Sequence, residues 1–208
     1  VSYAKPEELY VSNFINHPYS EVLEWADKYN IELTTLHEYS DTVELNHVIM
    51  QEYGIETILS EVKTFKVTIS DGPNPYKEIV VPNFTGFSFD DVMKYIKENF
   101  LTNVEIEFII SDKARDTVIE QVGSGTMMRN DLIKLVFSYG EEIETEAVKN
   151  ITGLSLFEAT SYLKRIGVKY EIDYEFSDKV EKDYVISQDK VNEVIETIKL
   201  VVSKGSEI

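Results

Sequence analysis

The 208-residue chain carries 38 Asp and Glu against 20 Lys and Arg, a formal charge of −18, with 43% apolar residues, 12% aromatics and no cysteine. That apolar content can fill packed cores and sets the chain apart from a disordered tail. The acidity argues against nucleic acid or an anionic lipid surface as a partner, and the missing thiols exclude disulfides, thiol catalysis and Cys-based zinc sites.

In chain order, the first helix is expected around Val22, Trp25, Ala26 and Tyr29, whose spacing makes one apolar stripe. Pro18 stands where a capping residue is wanted, so this helix must start differently from the others. A strand is expected to run into His37-Glu38, a short one to end at Gln51, and "KTFKVTIS" to close the unit. The second helix is expected from Val92, Tyr95, Ile96 and Phe100, with Ser88 as cap and Asp91 as a short stand-in for Glu. Strands "VEIEFII" and "LIKLVFS" follow, and Gly123 to Thr126 reads as a tight connection and not a phosphate loop. The third helix is expected from Leu156, Ala159, Leu163 and Ile166. Ser155 and Glu158 form a capping box, Leu154 and Ala159 its hydrophobic staple, and Gly167 its left-handed end. In "VKYEIDYEF" the apolar positions alternate with Lys169, Glu171, Asp173 and Glu175, a strand with one face on a core and carboxylates on the other.

These elements repeat. Asn13-Phe14, Asn83 to Gly86 and Asn150 to Gly153 open three units. Ser-Asp pairs follow at Ser40, Ser111 and Ser177, then Gln51, Gln121 and Gln188, each two residues after an Ile. Ser70 to Gly72, Ser138 to Gly140 and Ser203 to Gly205 close them. The fold class is therefore α+β: three tandem repeats over residues 1–72, 73–140 and 141–208, each one helix on a three-stranded sheet, expected to form an elongated rod. The recurring Ser-Asp and Gln read first as shared turn chemistry, with Asp closing the turn and Gln bonding neighbouring backbone.

At "VPNFTGFSFDDVMKYIKE" and "VKNITGLSLFEATSYLKRIGVKYEIDYEFSD" the chain resembles the PASTA domain, the penicillin-binding-protein and Ser/Thr-kinase associated module of bacterial surfaces. The likeness is strongest in the third unit and weakest in the first, which lacks the opening Gly. It departs from the family after each Gln, where Glu52, Val122 and Asp189 replace the usual Ser-Pro. The resemblance implies the extracellular region of a Gram-positive bacterial membrane Ser/Thr protein kinase. That region would recognise peptidoglycan fragments (muropeptides), cluster kinases at sites of wall growth and hold a capacity for self-association. The alternatives are a C-terminal appendage of a penicillin-binding transpeptidase, and a spacer or protein-docking rod.

No apolar run approaches the ~20 residues of a membrane helix, so no membrane contact is expected of this fragment itself. Starting at Val1 without Met, it reads as a piece of a longer protein whose transmembrane anchor lies upstream. No catalytic constellation and no cofactor or metal site is expected: His17, His37 and His47 lack metal spacing, and Glu171, Asp173 and Glu175 lack a calcium loop. Residues 141–208 hold nine basic residues, against four in 1–72, so the candidate ligand site falls in the third unit. Arg165 and Lys179 would pair with ligand carboxylates, Ser155 would donate at the helix start, and Gln188 would lie nearby. Gly153, in the turn before the third helix, is expected to be less replaceable than Gly123.

Overall fold

The computed structural model describes residues 8–207. The outermost ends of the expected first and third units, at Val1 and Ile208, lie outside the described residues. By contact the chain divides at Lys77/Glu78 into two units. The division falls just beyond the expected boundary at residue 72, and the Lys77 ammonium reaches back to Asp41 at 2.6 Å.

The first unit holds one helix, α1 (Tyr19–Tyr29), and strands β1 (Glu32–Glu38), β2 (Val48–Gln51) and β3 (Thr64–Ser70). The central β3 pairs in parallel with β1 and antiparallel with β2, giving the order β1-β3-β2. Val22, Trp25 and Ala26 of α1 are buried, with Phe14, Trp25 and Phe65 meeting edge to face or tilted at 5.0–6.1 Å between ring centres. As Pro18 requires, the α1 N-cap has no side-chain hydrogen bond.

The second unit contains the same design twice. Helix α2 (Phe89–Glu98) sits over β5 (Val104–Ile109), β6 (Val118–Val122) and β8 (Ile133–Ser138), in the order β5-β8-β6. Helix α3 (Leu156–Arg165) sits over β9 (Lys169–Glu175), β10 (Val185–Gln188) and β11 (Thr197–Ser203), in the order β10-β11-β9. Each copy has its own apolar core, the second around Phe84, Phe89 and Phe137, the third around Ile151, Leu163 and Leu200.

Two expectations about the elements change. Gly125–Met128 is not part of a bare connection: it is a strand, β7, paired with β4 (Glu78–Val81) in a two-stranded sheet beside the second repeat. Where β7 lies, the first repeat has a single 3-10 turn at Leu59–Glu61 and the third has irregular loop. Phe100 is not on the helix face: α2 stops at Glu98, and Phe100 takes φ 53° with 39% exposure, the end position that Gly167 fills at φ 71° in the third repeat.

The shared markers prove to be hydrogen-bond devices. Gln51, Gln121 and Gln188 each accept from the backbone N–H of Phe14, Phe84 or Ile151 at 2.6–2.7 Å. Each amide also donates to two carbonyls, Ser12 and Tyr53, Pro82 and Gly123, or Lys149 and Lys190. One side chain thus ties the opening segment to the end of the second strand. The Ser-Asp turn is closed by its serine and not, as expected, by its aspartate: Ser40 and Ser177 each accept two backbone N–H groups, and Ser111 accepts one.

Candidate functional site

Helix α3 ends against the second repeat, and the chemistry of its last turn follows from helix physics. Final carbonyls of a helix lack intrahelical donors, and cations are favoured there. Tyr139 of the second repeat donates its hydroxyl to the carbonyl of Lys164 at 2.6 Å. Burial pushes the Tyr139 phenol above its ordinary pKa, with Arg115 pulling the other way. Lys164 sends its ammonium back to the carbonyl of Ile106 on the outer edge of β5, at 3.0 Å. Arg165 spans two carboxylates, Asp90 at 3.1 Å and Asp116 at 2.9 Å, with its guanidinium 5.1 Å from the Phe89 ring centre. Partial burial works against the charged form of Arg165, but Asp116, Asp90 and Glu146 outweigh it and raise its pKa. Phe157 packs on the second repeat's core, and Lys97 reaches Glu158 at 3.1 Å.

Beside this junction, over the sheet of the second repeat, lies a cleft of 670 Å³. Its polar lining is Glu105, Glu107, Glu120, Gln121, Lys134, Tyr139 and Lys164, and its apolar lining is Ile106, Phe108, Val122, Leu135 and Val136. Glu105 and Lys134 pair across adjacent strands at 2.7 Å, both about half exposed. Carboxylates and ammonium groups beside apolar side chains suit a ligand that itself carries both charges.

The four residues singled out from sequence are not brought together. Ser155 and Arg165 lie at opposite ends of α3, about 15 Å apart at 1.5 Å per residue. The Ser155 hydroxyl is spent in the capping box, accepting from the Glu158 N–H and donating to its carboxylate at 2.8 Å. The carboxylate at this helix start is thus Glu158 itself, and the Leu156 N–H is taken by Asp183. Arg165 is held in the junction and Gln188 in its turn, leaving Lys179 exposed on the Ser-Asp loop. His17, His37 and His47 are dispersed on Glu21, Asp71 and Glu44. The cleft was missed because its residues come from β5, β6, β8 and α3. The signal for it was Lys164-Arg165 in a last turn closed two residues later by Gly167.

Residues 146–204, most of the third repeat, match the family model of the PASTA domain. The other two repeats share its strand order and its Gln and Ser hydrogen bonds. Two solved Staphylococcus aureus structures are similar to the chain. One is the entire extracellular region of the Ser/Thr kinase PrkC, at 26% identity over 95% of this chain and 71% of that one, with a TM-score of 0.29. The other is the three-PASTA-domain of a Ser/Thr kinase, at 27% identity over 94% and 99% of the two chains, also at 0.29. At that score the likeness carries nothing about how the repeats are arranged. No helix among the described residues is long and apolar enough to cross a membrane.

Proposed function

We propose that this chain is the extracellular sensor and binding region of a bacterial membrane Ser/Thr protein kinase, recognising peptidoglycan fragments and gathering the kinase where wall is made. The observation that supports it is the PASTA match over residues 146–204, together with the same hydrogen-bonded unit recurring twice upstream. Muropeptides carry carboxylates and, in many stems, a free amine, which suits the mixed charge of the cleft better than the crowded start of α3. We propose the binding site at Glu105, Glu107, Lys134 and Lys164 of this cleft, in place of the expected Ser155, Arg165, Lys179 and Gln188. An open surface buries little of a small ligand, so the dissociation constant is expected at roughly 0.1–1 mM.

The test is an NMR titration of the ¹⁵N-labelled full chain with a soluble disaccharide-pentapeptide. Amide shifts should centre on β5, β8 and the end of α3, and Lys134→Ala should weaken them. Silence at millimolar ligand would replace this reading with a spacer or protein-docking role, which the net charge of −18 favours.

A further inference from the structure

Among the described residues that line the cleft over the second repeat, Lys164 is the one supplied by the third repeat. It is anchored at both ends. Its ammonium donates to the Ile106 carbonyl at 3.0 Å, and its carbonyl accepts from the hydroxyl of Tyr139, which also lines the cleft. An ammonium has three N–H donors, so this one can hold Ile106 and still meet a ligand carboxylate. Lys134, on β8 of the second repeat, is the other cation of the lining.

The position of Lys164 is set by its neighbour. Arg165 does not line the cleft, yet it fixes the last turn of α3 on the second repeat through Asp90 and Asp116, over the Phe89 ring. Among the described helices α3 alone has two cations in its last turn, where α1 has Lys28 and α2 has Lys97. The junction is not fully satisfied. Arg115 Nη1 and Asp116 Oδ1 are buried without a hydrogen-bond partner, and the Glu144 carboxylate stands 3.7 Å from that nitrogen. Unsatisfied buried polar atoms detract from stability, so a further contact across this junction has room to strengthen it.

Taking the cleft as the muropeptide site, on which this coupling rests, we propose that it is a site of two repeats. A ligand carboxylate held by Lys164 together with Lys134 fastens the third repeat to the second, and Arg165 is the positioning residue that keeps Lys164 in place. Such coupling is reciprocal: a ligand that draws two parts together binds more weakly when they are loosened elsewhere.

The ¹⁵N-labelled full chain and its Arg165→Ala variant are titrated with the soluble disaccharide-pentapeptide. The variant should bind about tenfold more weakly although no lining side chain is altered, and Arg165→Lys should recover part of the loss. Amide exchange gives the readout that a merely structural role would not move. In Arg165→Ala, saturating ligand should slow exchange at Ile198, Leu200 and Val202 of β11 as well as at β8, whereas a ligand held by the second repeat alone slows β8 only. Adding Lys164→Gln to that variant should confine the protection to β8. Asp90→Asn, at a carboxylate 79% exposed, decides the matter should Arg165→Ala not fold, and should weaken binding about twofold. Parent affinity in these variants, or protection confined to β8 in Arg165→Ala, overturns the proposal and leaves a one-repeat site. No binding by the parent chain at millimolar ligand overturns the reading of the cleft as well, so the two failures are told apart.

Discussion

Gly123 and Gly153 both lie at positive φ, 87° and 79°, but only one is crowded. A Cβ on Gly123 would stand 2.8 Å from the Leu132 carbonyl oxygen, whereas around Gly153 nothing comes within 4 Å. The expectation that Gly153 is the less replaceable is therefore reversed. Turn chemistry was legible at Gly153, where Asn16 takes the same conformation in the first repeat. The approach of residue 132 to residue 123 is tertiary and left no mark in the sequence. Gly123→Ala should cost about 2–3 kcal/mol and Gly153→Ala about 1 kcal/mol, read from denaturant melts of the two variants. Equal losses would place the strain in φ alone. The recurring Gln was read correctly as structural, because one amide can serve several backbone groups only if it sits between two segments.

At the level of the element, α3 bears out the capping box and shows that it is shared. Glu158 accepts from the Ser155 hydroxyl and N–H and from Lys97. Burial acts to raise its pKa, but the hydrogen bonds from Ser155 and Lys97 prevail and hold it below the ordinary value of 4.5. A carboxyl whose folded value is lowered stabilises the fold above its unfolded value, and that gain is lost as pH falls through the folded one. Glu158→Gln should therefore lower Tm at pH 7. The gap between variant and parent should close as pH is taken below 4.5, and thermal melts from pH 7 to 3 measure it. A gap that stays constant with pH would mean the carboxylate's charge contributes nothing. The helices and long strands were legible because their apolar periods are clear. Strand β7 was not, since "GTMM" has no alternation and is a strand only because β4 lies beside it.

For residues 78–207, the junction decides behaviour. Arg165, Lys164, Tyr139 and Phe157 link two cores that would each be thin alone. Amides of β8 and β11 should open with a common free energy in hydrogen exchange. Arg165→Ala leaves the partly buried Asp116 with only the more distant Arg115 at 3.9 Å, and should separate the two repeats with a loss of about 2 kcal/mol. Separate opening in the parent chain would show that the contacts are too weak to couple the repeats.

The sequence by itself determined the threefold repeat, the helix-on-sheet unit, the caps and the family likeness, because these rest on local periodicity and on turn chemistry repeated at matching positions. Only the tertiary structure decided what each polar group is for. Ser155, Arg165 and Gln188 looked available on a linear reading, yet a capping box, an inter-repeat ion pair and a backbone tie had already taken them. The reason is physical: a part-buried polar group is driven to find a partner, and that partner is often far along the chain. Asp116 and Asp183 hold matching positions in their repeats, each before an x-Val-Ile-x-Gln run. One is covered by a helix and one is open, a difference that arises only when α3 is laid on β5.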